Sequence, residues 1–404
     1  MWREAVSTGA TVPGGVRPMT WRDWIDPTRV GWLRLLLGFV PAALIAWVAE
    51  APALAQFALA SLAIIPLAGL IGEATEALAF HLGPGIGGLL NATFGNAAEL
   101  IIALFALFRG LDDVVKASLT GSILGNLLLV MGASVFAGGL RFPIQRFEKT
   151  AAGVAATLMV LAAVGMVIPA IFHRLVSPSA VVAEHKLSLT VSVVLILAYV
   201  LNLVFSLVTH KNLYNPRDED PETTLHPGVE WGRRKSTIIL IVATALVALM
   251  SEVLVAAVEE ASRTVGLTQV FVGVIVVAIV GNAAEHSTAV LMALKDKMDL
   301  SVGIALGSAS QIALFVTPLL VLVSYARLEP MDLLFTPMEV LAIILAVIVA
   351  RMVAEDGESN WLEGAMLLMV YVVLGLAFFF LPESAGRDPI PPKAASMERA
   401  HGGQ

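Results

Sequence analysis

The chain is divided into eleven apolar runs, and that pattern constrains it more than any other feature. The runs cover 31–49, 53–80, 84–108, 115–138, 150–173 and 187–209, then 236–262, 268–294, 300–325, 335–354 and 361–381. An α-helix needs ~20 mostly apolar residues to cross ~30 Å of hydrocarbon, and the runs approach or exceed that length. Composition agrees: 58% of the 404 residues are hydrophobic and 14% are charged, against about 25% charged in soluble domains. The pattern predicts an all-α polytopic membrane protein with about 11 transmembrane helices. A β-barrel would alternate polar and apolar residues, and 33 Gly with 20 Pro suit broken or kinked membrane helices better.

The remaining segments set the organisation. Residues 1–30 form an N-terminal segment and 31–49 a leading helix; residues 50–210 and 236–381 each hold five helices. Between them, 211–235 is a linker carrying Asp218, Glu219, Asp220, Glu222 and Glu230, and 382–404 is a polar tail expected to be disordered. Lys and Arg concentrate on one side, with Arg141, Arg146, Lys149, Lys211, Arg233, Arg234, Lys235, Lys295 and Lys297 among them. The positive-inside rule therefore puts the N-terminus and the linker in the cytoplasm. Short soluble parts and an Arg-rich composition fit a bacterial plasma (inner) membrane, with a vacuolar membrane as the alternative.

An internal repeat points to function. Gly95-Asn96-Ala97-Ala98-Glu99 recurs as Gly281-Asn282-Ala283-Ala284-Glu285, 186 residues later. Each copy is followed by a second correspondence, Gly121–Gly125 against Gly303–Gly307, 182 residues apart. Setting the leading helix aside, two five-helix units remain. An odd number of spans per unit inverts one unit relative to the other, as in secondary transporters with midplane sites.

Carboxylates inside a bilayer cost ~2.5–3.5 kcal/mol each and are functional candidates by default. Glu99 and Glu285 lie in the motifs, with Glu76 and Glu252 upstream, and no Lys or Arg stands within the same helices to pair with them. Such a group carries a proton or binds a cation, so a site alternating between the two states is a proton-coupled antiporter. Asn96 with Glu99, and Asn282 with Glu285, stand three apart and share a helix face. Gly95 and Gly281 allow each helix to kink and free backbone carbonyls. An all-oxygen site with two negative charges suits Ca²⁺; the absence of Cys excludes thiol chemistry, and with only His286 beside the motif it disfavours soft transition metals. His286 can pass protons near neutral pH. Glu73, Ser122, Asn126, Ser308 and Gln311 are expected to line or support the site, whereas Glu259 and Glu260 are expected to be solvated.

These motifs resemble the calcium/proton exchanger (CAX) family. The resemblance covers roughly 31–381 and is strongest over 89–107 and 274–315. It implies a first helix outside two inverted five-helix repeats, with an acidic segment after the sixth helix. It implies that Glu99 and Glu285 bind Ca²⁺ and take up protons beside Asn96 and Asn282. It also implies proton coupling by Glu76 and Glu252, with His286 and Gln311 on family positions.

The expected partners are Ca²⁺, H⁺ and the lipid bilayer, with no bound cofactor, nucleotide or nucleic acid; association with further copies of the chain is left open. A Na⁺(K⁺)/Ca²⁺ exchanger or another cation/proton antiporter is the nearest alternative reading, although Na⁺/Ca²⁺ repeats resemble G-[ST]-[ST]-[AP]-E. A cation channel is the alternative of a different class, but channels usually build acid rings from identical subunits. An enzyme is not expected, because H-E-x-x-H and G-x-S-x-G are absent, and so is the G-x-x-x-x-G-K-[ST] motif of a nucleotide-driven pump.

Overall fold

The computed structural model describes residues 32–176, 181–210 and 231–382. The N-terminal segment 1–30, most of the acidic linker and nearly all of the polar tail lie outside the described residues. The helices are α1 Phe39–Val48, entered through a 3₁₀ segment Trp32–Gly38, then α2 Ala53–Phe94 and α3 Ala97–Phe108. They continue as α4 Asp112–Arg141, α5 Lys149–Leu175, α6 Val182–Thr209, α7 Arg233–Val265, α8 Gln269–Leu294 and α9 Met298–Ser324. The last two are α10 Pro337–Val353 and α11 Trp361–Phe379. Among the described residues, eight helices are long and apolar enough to cross a membrane, and α3 and the segment Leu35–Val48 are shorter apolar helices.

Hydrogen bonds between connections sort the helix ends onto two faces. On one face, strand β1 Gln145–Arg146 pairs antiparallel with β2 Glu358–Ser359, Arg141 donates to the Leu294 carbonyl and His81 meets the Trp231 carbonyl. On the other, Arg327 reaches Asp112 and the Leu107 carbonyl, Lys116 reaches Asp332, and Tyr325 donates to the His185 carbonyl. The long helix α4 runs between the faces. The end of α3 therefore lies on the second face and the end of α8 on the first. The two Gly-Asn-Ala-Ala-Glu copies run in opposite directions.

The apolar run 84–108 is not one straight helix. Its first part continues α2 beyond Gly83, where φ is 81° and ψ 170°, and the helix breaks again at Gly95-Asn96. Asn96 sits at φ −105°, ψ 29°, ahead of α3. The second copy behaves differently: Gly281-Asn282 lies inside the continuous Ala278–Leu294 helix, and the irregularity is a π turn at Val272–Val277. The expected kink at Gly281 is thus displaced by two turns. The reason is packing, because a Cβ on Gly281 would come within 3.2 Å of the Glu99 Cγ. This glycine makes room for the opposing acid rather than bending its own helix.

Helices α2 and α7 pack along each other at the centre, with α3 against α7 and α8 against α2 in reciprocal fashion. Lipid is as apolar as leucine, so close backbone approach replaces the hydrophobic effect as the driving force. Gly121 lets α4 meet α8: its Cβ would stand 2.0 Å from the Val274 carbonyl oxygen. Its counterpart Gly303 faces open space. Gly121→Ala is expected to destabilise the fold by ~1–3 kcal/mol through overpacking. Gly303→Ala is expected to be neutral or slightly stabilising. Thermal unfolding in detergent distinguishes the two.

Candidate functional site

The two acidic motifs meet between α3, α4, α8 and α9. Glu99 occupies the first turn of α3 after the Asn96 break and is 8% exposed. Its side chain lies against Gly281, with Oε1 placed 3.4 Å from where a Cβ would be. Glu285 is half-buried on α8 and close enough for the two carboxylates to repel each other. Among the described residues, Glu99 Oε2 and Glu285 Oε2 are buried without a hydrogen-bond partner. No group of three or more His, Cys, Asp or Glu forms there either. A cation at this place would be held by two carboxylates supplemented by neutral oxygens.

Those neutral groups form a hydrogen-bonded chain. Asn96 Nδ2 donates to Gln311 Oε1, and the Ser308 hydroxyl donates to Asn96 Oδ1 at 3.0 Å. Asn126 Nδ2 donates to both Ser308 Oγ at 3.0 Å and Asn282 Oδ1 at 3.2 Å. Asn282 Nδ2 donates in turn to Ser122 Oγ at 3.0 Å and to the Ala278 carbonyl at 2.9 Å. Asn96 and Asn282 are repeat mates, 186 residues apart; Asn126 and Ser308 are mates too, at the 182-residue offset of the second correspondence. The order Asn96–Ser308–Asn126–Asn282 therefore reads the same from either end. The symmetry between the halves passes through the Asn126–Ser308 bond. Ser308 has one proton, and it goes to Asn96.

Local structure explains the placement. Asn126 opens a π turn at Gly125–Val130, and Gln311 immediately precedes another at Ile312–Val316. Inserting one residue per turn rotates the side chains that follow, and such bulges concentrate at functional sites. Gly95 borders the same cluster, with Gln311 Oε1 3.7 Å from its Cβ position.

Of the expected residues, Gly95, Asn96, Glu99, Ser122, Asn126, Gly281, Asn282, Glu285, Ser308 and Gln311 come together here. The amide oxygens of Asn96 and Asn282 each accept a hydrogen bond, whereas Asn126 Oδ1 is buried without one. His286, beside Glu285, is half-buried and its Nε2 has no partner among the described residues. Glu73 and Glu76 are half-buried on α2, on the stretch leading toward the face of Trp231. Glu252 has a cation after all: Arg109, the residue just past the end of α3, donates to its carboxylate. The expectation of no basic partner fails for Glu252, because Arg109 folds back onto α7 from the end of α3. As expected, Glu260 is exposed, and Glu259 pairs with Arg263 one turn away at 2.8 Å.

Access is uneven. Residues Ala283–Thr288 of α8 are half-buried all round and Gly303 is exposed, whereas Ile102, Ala103, Ala106 and Leu107 of α3 are buried. Among the described residues the cluster is thus less covered toward the face of Trp231 than toward the face of Arg109.

Comparison with known proteins places the chain in context. The sodium/calcium exchanger protein family model matches residues 52–208 and 235–380. A Ca²⁺/H⁺ antiporter of Synechocystis sp. is 48% identical over 81% of this chain and 91% of its own length. The Ca²⁺/H⁺ antiporter ChaA of Bacillus subtilis is 45% identical over 86% and 98%. The solved structure of native YfkE superposes with a TM-score of 0.75 at 42% identity, covering 86% of this chain and all of that one.

Asn126 donates both its amide protons to other halves of the cluster, so Asn126→Leu leaves Asn282 and Ser308 short of a buried partner. A loss of ~1–3 kcal/mol per stranded group is expected, read as a lower unfolding temperature in detergent. An unchanged temperature would show that the chain of bonds carries no stability.

Proposed function

The chain belongs to the sodium/calcium exchanger protein family, and on that premise we propose that it is a secondary antiporter exchanging Ca²⁺ for H⁺. One observation carries the reading: two buried carboxylates from oppositely directed copies of one motif face each other, each with an unpartnered oxygen. Two such charges at close range are stable only when at least one holds a proton or when both share a cation. Ca²⁺ takes 6–8 oxygens with no strict geometry. Glu99 and Glu285 supply the charge, while Asn126, Ser308 and the motif amides supply neutral oxygens after their mutual bonds rearrange. Proton uptake by the same carboxylates ejects the ion, and the exchange ratio follows from this competition.

Residues Glu73, Glu76 and His286 line the approach from the more open face and serve as proton-transfer groups. Glu252, held by Arg109, closes the opposite side in this conformation and becomes available for proton coupling when that side opens. Reading each shorter helix, α1, α3 and α10, as a further crossing gives eleven spans, one leading helix plus two inverted units of five. The division at 50–210 and 236–381 then follows, and alternating access amounts to rocking one unit against the other. The two antiporters named above are bacterial, which supports a plasma membrane with the N-terminus and the acidic linker inside; the open face is then cytoplasmic and Ca²⁺ is exported.

A Na⁺-driven exchange remains within the family, but the antiporters named above are proton-coupled and nearly half their residues are shared. Proteoliposomes with an imposed pH gradient are expected to take up Ca²⁺, and an equal Na⁺ gradient is expected to drive none. Glu99→Gln and Glu285→Gln should each abolish exchange while leaving the protein folded, since each removes half of the site's charge. Normal pH-driven uptake by either variant overturns the assignment. Glu76→Gln is expected to slow or uncouple transport with Ca²⁺ binding retained. Because protons and Ca²⁺ compete, apparent Ca²⁺ affinity should fall as pH is lowered on the loading side; an affinity independent of pH would remove the competition.

A further inference from the structure

A separate cavity of about 630 Å³ lies away from the acidic cluster. It is enclosed by the last turns of α5 and the first turns of α4, α8 and α10, all ending on the face opposite Trp231. Its charged groups stand at the helix ends, with Asp113 and Lys116 from α4 and Arg174 from α5. Its apolar wall lies deeper, with Val167 and Ile171 on α5 and Leu341 and Ile344 on α10. From Arg174 back to Val167, and from Thr336 on to Ile344, the chain descends ~10–12 Å at 1.5 Å per residue. Polarity therefore falls with depth over the same distance as it does from a phospholipid's headgroup to its first methylenes. Ile171 and Leu341 are about half exposed, at 50% and 49%, so the cavity opens sideways toward hydrocarbon. An aqueous vestibule would not carry such a wall.

The charges select the headgroup. Lys116 is occupied by Asp332 at 2.6 Å and the Leu334 carbonyl at 3.0 Å. His173 is bonded to Glu184 at 2.9 Å. Glu339 is buried and accepts from the Thr336 backbone N–H at 2.8 Å and from Thr120 at 3.4 Å. Asp113 and Arg174 are exposed, and among the described residues neither has an ion-pair partner. One available anion and one available cation at the rim of an apolar slot complement a zwitterion with N–H donors: Arg174 takes a phosphate and Asp113 accepts from an ammonium.

We propose that this cavity binds one phosphatidylethanolamine molecule of the leaflet opposite Trp231. Phosphatidylglycerol offers nothing cationic to Asp113, and the quaternary ammonium of phosphatidylcholine has no proton to donate. The bound lipid wedges α5 and α10 against the ends of α4 and α8, the helices that carry Asn126 and Asn282. It steadies the face that the Arg109–Glu252 pair closes.

The test is native mass spectrometry of the full chain in detergent, after equilibration with equal amounts of phosphatidylethanolamine, phosphatidylglycerol and phosphatidylcholine. Phosphatidylethanolamine is expected to be retained about fivefold over either competitor, the ratio equivalent to one partly exposed ion pair. Asp113→Asn should remove that preference, whereas Arg174→Gln should lower retention of all three lipids, which share the phosphate, and Arg174→Lys should keep most of it. Leu341→Trp fills the apolar wall without touching either charge and should lower retention of all three lipids. Equal retention by the wild type, a preference for phosphatidylglycerol, an undiminished preference in Asp113→Asn, or undiminished retention of all three lipids in Arg174→Gln overturns the proposal. Should neither charge variant fold, unaltered retention in Leu341→Trp overturns it alone.

Discussion

The buried pair Glu99 and Glu285 sets the terms for everything around it. Either carboxylate alone would cost ~2.5–3.5 kcal/mol at the centre of a bilayer, and two facing each other cost more through repulsion. Among the described residues no cation pairs with either; Arg109 holds Glu252 and Arg327 holds Asp112 at helix ends. The surrounding amides and hydroxyls spend their hydrogen-bonding capacity almost entirely on one another, through Asn96, Ser308, Asn126 and Asn282. The chain therefore holds the acids in place while leaving each with an unsatisfied oxygen. That residual demand is what a proton or a cation meets.

Symmetry of position is combined with asymmetry of structure. The Asn126–Ser308 bond sits at the centre of a palindromic chain of side chains, yet the mates differ in chemistry. Asn126 keeps an unpaired carbonyl oxygen, while Ser308 gives its one hydroxyl proton to Asn96. The backbone departs in the same way: the first motif breaks its helix at Asn96, and the second keeps its helix and displaces the irregularity to Val272–Val277. Two inverted units with identical conformations would open both faces equally. A difference between the halves is the physical requirement for one face to be closed while the other is open.

Much of this was legible in the residues. The apolar runs, their breaks and the repeated acidic motif anticipate the helices, the opposite directions of the two copies and the identity of the central acids. The 182-residue offset already marks Asn126 and Ser308 as mates, a signal that could have placed them at the centre rather than the margin. Two features were not accessible that way. The Arg109–Glu252 pair joins residues 143 apart in sequence, and hydropathy cannot say that a helix-capping Arg turns back along a neighbour. Gly281 is a related case, since a glycine that bends a helix and a glycine that admits a neighbouring side chain look identical in one dimension.

Hydropathy and two five-residue copies suffice to establish a lipid-embedded helical chain with oppositely directed acidic motifs. Those properties follow from the lengths of runs and the parity of crossings, which are additive along the chain. Which oxygens remain unpaired, which face is closed and where a lipid-shaped cavity opens depend on contacts between residues more than a hundred positions apart. A hydrogen bond or an ion pair forms only at the distance that helix packing permits, and packing here turns on single glycines such as Gly121 and Gly281.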